Sequence, residues 1–541
     1  TAASAWKART TSWPTATSLS SGSMCKLRAR GGNGRPGLDE STIMNDPLHL
    51  DESIEWVGHW WLPDDPEKKV PGILRYDGEG GIALLLIGGF EDRVMSQSAS
   101  GSVSYHFENK KWHVIMGMAE HREITLFDCA LKSSRRTLDI EPQGPYKQNI
   151  EARMALFGVH VESAEVPAFS VAEMSIEDLT RWAATSTMEC TYGVSENELD
   201  GTSSIPIKPV VLQSAVIDDA EFCLVNQPPS PFFEYFKGQT VRRACNTVLM
   251  RIKSKSPISL NYALDKVKLV QDLISFATDR ASGVIWLRLE LPQGGCELPN
   301  GKRLPKGVDV LYSPLAFGCH DAKAVDLHRV FFTCDSLPFE QILPRWSEKY
   351  EQLRSAINMV SGLRYAPSSF IENNLLTAVG AAEVLHRGLD IDTKPIPEVE
   401  FKKIRDNMLE KVPETYRKRF KAAIRNEPTL RNRLLDLAER LDREVVELLI
   451  PNFHYWAKRT VKARNDLAHQ GKTPKHSLEE LIAVVEVTKA VVVLSLVNEI
   501  GLPIERQLQI VRDHPRLQRV RSWAEEYLIP DPKQQTADQK G

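Results

Sequence analysis

Arg464-Asn465-Asp466-Leu467-Ala468-His469 decides how the C-terminal half of this 541-residue chain is read. A guanidinium, a carboxamide and an imidazole fall within six residues. Arginine keeps its charge and grips phosphate oxygens through a planar fork of donors. Histidine accepts and returns protons near neutral pH. These are the parts that a metal-free cleavage of a phosphodiester needs.

Apolar spacing predicts a helix over 451–470, with the hexapeptide in its last turns. Asn465 and His469 are four apart and share a face; Lys462 lies two turns before His469 on the same stripe. Arg464 stands about 140° around the axis from His469. The long arginine side chain and the approaching helix end let both reach one phosphate. Gly471 reads as the C-terminal stop, with Pro474 beyond it. An R-x4-H spacing alone is common on solvated helix faces. The RN doublet, the small and apolar Leu467-Ala468 pair and the helix-end position are what favour a nuclease site.

The whole-chain charge carries no signature of a nucleic-acid binder: 68 Lys and Arg stand against 71 Asp and Glu. Any such surface is therefore local. Lys458, Arg459, Lys462, Arg464, Lys472 and Lys475 face only Asp466 across 457–475. The functional reading is a phosphate-binding rim in which Lys458, Arg459, Lys462 and Lys472 contact RNA; the bland one is a solvated helix face. Eight cysteines without a C-x-x-C pair argue for a reducing, cytoplasmic setting and no disulfide framework. Cys319, His320, His328 and Cys334 match no standard zinc spacing, so no metal or other cofactor is expected. The most apolar run, 481–500, contains Glu486, Lys489 and Glu499 and reads as a buried helix, not a membrane span. No secretory signal is evident at the N-terminus.

Residues 1–43 are rich in Ser, Thr, Gly and Arg and read as a disordered or non-native extension, with Met44 or Met24 as the natural start. Residues 44–330 read as mostly β, with strands at 53–62, 71–75, 81–87, 102–107, 112–118, 122–127, 155–161, 210–217, 241–252 and 284–291. Short helices are expected at 176–184, opened by Ser170 or Ser175, and at 260–278. A sandwich or pair of sheets follows from this pattern. Trp56, Trp60, Trp61 and Trp112 read as core more than as a ligand face. The cluster 231–236 is either a binding surface or a loop anchor. No G-x-S-x-G, P-loop or H-E-x-x-H occurs there.

From 339 to 528 the chain turns helical, with helices at 339–362, 369–388, 398–411, 413–426, 428–449, 451–470, 478–500 and 503–526, the last broken near Pro515. Capping boxes open two of them: Ser369-x-x-Glu372 and Ser477-x-x-Glu480. Residues 529–541 form a polar tail. The fold class is α+β, a β-rich region followed by an all-α bundle.

With Arg464, Asn465 and His469 in place, the helical region resembles a HEPN domain, whose ribonucleases carry an R-x4-6-H motif. The segment from Leu375 to Arg387, with Glu383 and a basic end, is similar to a helix of the ApeA-like branch. The β-rich region ahead of the bundle resembles ApeA-type bacterial anti-phage proteins, and the likeness covers most of 50–525. The resemblance implies a dimer that cleaves RNA without metal, as an abortive-infection toxin awaiting a phage-derived trigger. It implies His469 as general base or acid, Arg464 as the charge stabiliser and Asn465 as a residue that orients His469 or binds phosphate. Glu383 either orients Arg464 or His469 or is an ordinary ion-pair partner, and Asp466 supports the site. His386 and Arg387 read as an exposed helix end, and His454 and Tyr455 as packing or stacking residues.

The rival reading is a non-catalytic module, in which the bundle dimerises or docks RNA or a partner and the β-rich region senses a ligand. A lectin-like protein ranks last, because no paired carboxylates are identifiable in the β-rich half.

Overall fold

Alternating side chains build the first strands. In Asp65–Tyr76 the buried positions are Val70, Gly72, Leu74 and Tyr76, and in Ile82–Ile87 they are Ile82, Leu84 and Leu86. That period of two turns one face of each strand inward. Ile54–Leu62, Asp65–Tyr76, Ile82–Ile87, Lys147–Ala152, Arg122–Arg135 and Lys111–Ala119 pair in that order, all antiparallel, and the last returns to the first. The six strands therefore close a barrel. Trp60 fills its interior opposite Gly117, where a Cβ would lie 2.2 Å from the indole.

The computed structural model describes residues 46–90, 94–97, 103–106, 110–135, 147–195, 198–227, 232–295, 301, 304–319, 323–365, 370–391 and 394–530. The extension 1–43, Ser369 of the first capping box, His320 of the cysteine–histidine set, and residues 531–541 of the tail lie outside them.

The expected sandwich gives way to the barrel plus an attached sheet. The reason is the 14-residue strand Arg122–Arg135. Its second half pairs with Lys147–Ala152 inside the barrel, past a register shift between Leu131 and Ser133. Its first half pairs with Met154–Phe157. From there the sheet continues through Lys306–Tyr312, Val284–Leu291, Phe169–Ile176, Thr247–Ile258, Ala220–Gln227 and Gln213–Ile217. The helix expected at 176–184 is shorter. Ser170 and Ser175 lie in strand Phe169–Ile176, and α1 spans only Leu179–Ala183 behind Asp178 in a left-handed conformation. Trp56 and Trp60 are buried, and Trp61 and Trp112 are partly covered. Phe232–Phe236 pairs with Gln239–Arg243 as a separate hairpin.

α2 (Leu260–Ala277) starts at Ser259, whose hydroxyl accepts from Tyr262 N, and packs on the sheet and on α3 (Phe339–Tyr365). The remaining helices are α4 (Ile371–Gly388), α5 (Glu398–Glu410), α6 (Glu414–Ala423), α7 (Leu430–Glu439), α8 (Arg443–Leu449), α9 (Phe453–Gln470), α10 (Leu478–Glu499), α11 (Ile504–Asp513) and α12 (Pro515–Tyr527). The single helix expected over 428–449 is two, because Asp442 accepts from Glu444 N and opens a new helix. Pro515 breaks the last pair as its missing N–H requires.

α10 is apolar nearly all round and runs through the bundle against α3, α4, α7, α9 and α12. The charges along its length are paired, Glu486 with Lys489 at 2.7 Å and Glu499 with Arg440 at 2.7 Å, while Glu479 in the first turn is exposed. One hydrophobic core runs from the barrel to α12. At the joint, Trp346 donates to the Leu269 carbonyl at 3.0 Å and Tyr350 donates to Asp272 at 2.7 Å. Beside them, buried Asp279 accepts from Arg364 and Arg516, each at 2.8 Å. Pro47–Gly541 thus behaves as one compact unit. Among the described residues no helix is long and apolar enough to cross a membrane.

Candidate active site

α9 carries the hexapeptide. Asn452 caps it, accepting from Tyr455 N at 2.9 Å. Trp456, Ala457, Thr460, Ala463 and Leu467 recur at three- and four-residue steps and are buried, so this stripe faces α4, α7 and α10. Gly471 closes the helix at φ 67°, and its N–H bonds the Leu467 carbonyl at 2.9 Å. A left-handed cap of this kind favours glycine.

The remaining faces divide into two chemical groups. The first is committed to the fold. Arg459 grips both carboxylate oxygens of Glu480 on α10 and donates to the Lys475 carbonyl at 2.7 Å. Expected on an RNA-facing rim, it instead staples two helices, with only 17% of its side chain exposed. Lys462 lies 3.1 Å from Asp466, whose carboxylate turns inward with 12% exposure. That Asp466 oxygen still lacks a well-directed hydrogen bond.

The second group is free of the fold. Arg464 is half-buried and donates to the Asn465 amide oxygen at 3.3 Å. No carboxylate pairs with it among the described residues. His469 is exposed in the last turn, with no hydrogen bond or ion pair among the described residues. Lys472 is exposed and equally uncommitted; Lys458, which belongs to neither group, is exposed. Glu383 is half-buried on α4, which packs on α9, yet it makes no hydrogen bond or ion pair with Arg464 or His469 within the chain.

A model of the ApeA N-terminal domain 1 matches residues 55–346, more than half of the chain, and a model of the Apea-like HEPN domain matches 376–506. The chain belongs to the ApeA-like HEPN family. No curated protein and no solved structure matches it. The HEPN match takes in most of α4 and all of α9 and α10; the ApeA N-terminal match runs into α3 as far as Trp346, which bonds back to α2.

Within the HEPN region, one histidine differs from its reading in sequence and a second had none. His386, expected at an exposed helix end, is buried at 2%, bonded to Asp436 at 2.8 Å and approached by Arg433 at 3.5 Å. Its place four residues after buried Ala382 carried that signal. Arg387 beside it is exposed as expected. His476, which sequence reasoning passed over, sits behind the motif. One ring nitrogen faces the Arg459 carbonyl at 3.3 Å and the other is buried without a partner. Burial first, then the Arg459 cation, holds its imidazole below the ordinary range. His454 stacks on Phe453 at 4.5 Å.

Proposed function

We propose that this ApeA-like HEPN protein is a metal-independent endoribonuclease of an anti-phage, abortive-infection system, and that Arg464, Asn465 and His469 are its catalytic residues. One observation carries the reading. On α9 the cations that hold the fold are spent on carboxylates, whereas Arg464 and His469 are left without one. A guanidinium and an imidazole kept uncommitted at one helix end are available to a phosphate.

His469 takes the proton of a ribose 2′-hydroxyl as that oxygen attacks the adjacent phosphorus. The 5′-oxygen leaves with a proton, giving a 2′,3′-cyclic phosphate and a 5′-hydroxyl. Arg464 stabilises charge building on the non-bridging oxygens, and Asn465 holds the guanidinium in place. DNA lacks the attacking hydroxyl and resists this route. Two copies of α9 meeting across a two-fold axis supply both the base and the acid in one composite site. Glu383, which pairs with no described residue of its own chain, is the carboxylate available to orient an arginine or histidine across that axis. Lys458 and Lys472 line the approach of the strand, while Arg459 and the Asp466-paired Lys462 are structural. The β-rich region restrains the bundle until a phage-derived trigger arrives.

The test is incubation of wild type and His469→Ala with total RNA in EDTA, followed by end-group analysis. Cyclic phosphate and 5′-hydroxyl ends from wild type alone are expected. Cleavage that needs added metal, or that survives His469→Ala, overturns the reading.

A further inference from the structure

α5 and α6 form a hairpin that contributes almost nothing to the core. α5 buries only Phe401, and α6 buries no residue. Across 411–425 the chain carries Lys411, Arg417, Lys418, Arg419, Lys421 and Arg425 against the single carboxylate of Glu414. None of these six pairs with a carboxylate among the described residues; Arg417 donates instead to the carbonyls of Val412 at 2.9 Å and Glu410 at 3.4 Å. A chain of net charge −3 thus concentrates an unneutralised positive surface on one short helix.

The same helix exposes two aromatic rings. Tyr416 and Phe420 are 56% and 50% exposed and stand one turn apart on one face. At about 100° per residue, Arg419 flanks this pair on one side and Arg417 on the other. At the root of the hairpin lies a cleft of about 660 Å³, lined by Arg387, Lys394, Arg425 and Arg433 together with Asp390 and Glu427. Within it Lys394 pairs with Glu398 at 3.5 Å and Arg433 with Glu427 at 3.3 Å, so Arg387 and Arg425 are the cations it offers without a carboxylate partner among the described residues.

We propose that α6 and the cleft at its root bind single-stranded RNA through residues outside the Arg464–His469 motif. Lysine and arginine side chains neutralise the backbone phosphates, and Tyr416 and Phe420 stack on unpaired bases. The identity of the polyanion as RNA rests on the nuclease reading above. A second copy of this chain is the poorer occupant, because two such faces repel each other at the same six cations. A duplex is poorer too, because its bases are already stacked and closed to the rings.

The test uses the full chain and a fluorescein-labelled 2′-O-methyl oligouridylate, which binds but cannot be cut by its own 2′-oxygen. Wild-type affinity is expected to fall with salt. The triple change Lys418→Glu, Arg419→Glu, Lys421→Glu is expected to weaken binding at least tenfold and to lower the salt slope by about 2. Tyr416→Ala with Phe420→Ala is expected to weaken it by at least about thirtyfold with the slope unchanged. All five positions are exposed, so an unaltered circular-dichroism melt accompanies these losses. Equal affinity in all variants, or equal affinity for a duplex, overturns the inference. So does a variant that turns a dimer into a monomer by sedimentation while RNA affinity holds, which assigns the face to a second copy. The nuclease reading is scored apart, by cleavage of unmodified RNA with and without His469→Ala.

Discussion

Arg459 and Glu480 form a two-pronged ion pair that ties α9 to the first turn of α10, with 17% and 13% of their side chains exposed. The pair holds the turn that carries Gly471, Lys472 and His476, and so fixes the end of α9 where His469 sits. Ser477 caps α10 by accepting from Glu480 N, so one glutamate serves both the cap and the staple. Arg459→Ala leaves a poorly solvated carboxylate behind. It is expected to cost about 2 kcal/mol in a urea titration, whereas Lys472→Ala, on an exposed and unpaired residue, costs under about 0.5 kcal/mol. Equal midpoints for the two variants would show that the pair contributes nothing.

The motif residues are expected to behave the other way round. Arg464 and His469 are not built into the core, so Arg464→Ala and His469→Ala leave the thermal melt close to wild type. Removal of the proton-transfer group is expected to lower the cleavage rate by about a hundredfold or more. A large fall in melting temperature in His469→Ala would make its role structural and dissolve the split.

Asp279 predicts how the β-rich and helical regions hold together. Its side chain is 7% exposed and lies between Arg364, Arg516 and His514, the last at 3.7 Å. Arg516 also reaches Glu486 on α10 at 3.4 Å. Asp279→Ala removes the only carboxylate bonded to Arg364 among the described residues and strands a guanidinium in the interior. The expected loss is about 3–5 kcal/mol, read as a lower denaturant midpoint and as protease cleavage near the joint. An unchanged digestion pattern would show that Asp279 does not govern the joint.

Local signals made much of this legible. Ser477 and Glu480 announced the start of α10, Gly471 the end of α9, and Pro515 the break between α11 and α12. Each depends on residues within a few positions of one another. Barrel closure was not legible, because Lys147–Ala152 must find Ile82–Ile87, and Lys111–Ala119 must find Ile54–Leu62, both far back in the sequence. The six residues of Lys147–Ala152, KQNIEA, are mostly polar and carry little strand propensity. The site was half legible for the same reason. Spacing put Asn465 and His469 on one face of α9 and Arg464 about 140° around from His469, and it treated Arg459 as one more cation of the patch. Its partner Glu480 lies 21 residues on, across a turn that only the fold brings back. The resemblance named Glu383 as an orienter of Arg464 or His469 or as an ordinary ion-pair partner, and within one chain it pairs with neither motif residue nor any other described residue.

His514 gives the last prediction, a dependence of stability on pH. Its side chain is 4% exposed. Burial, aided by the cations of Arg516 and Arg364, holds its imidazole below the ordinary range; Asp279 and the Arg329 carbonyl oppose this without reversing it. The unfolded chain takes up a proton near pH 6.5, while the folded chain refuses it until the pH is lower. Protons bound by the unfolded state therefore exceed those bound by the folded state as pH falls below about 6.5, and stability drops there. Above that value both states are neutral at this residue, and it contributes no slope. His476 is shifted the same way by burial and Arg459 and adds to the effect. Each histidine contributes at most about 1.4 kcal/mol per pH unit. Denaturant midpoints at pH 7.5, 6.5 and 5.5 are expected to fall for wild type and to fall less for His514→Gln, whose amide can still donate to the Arg329 carbonyl. The difference between the two profiles removes every other titrating group, so parallel profiles would mean that His514 is protonated equally in both states.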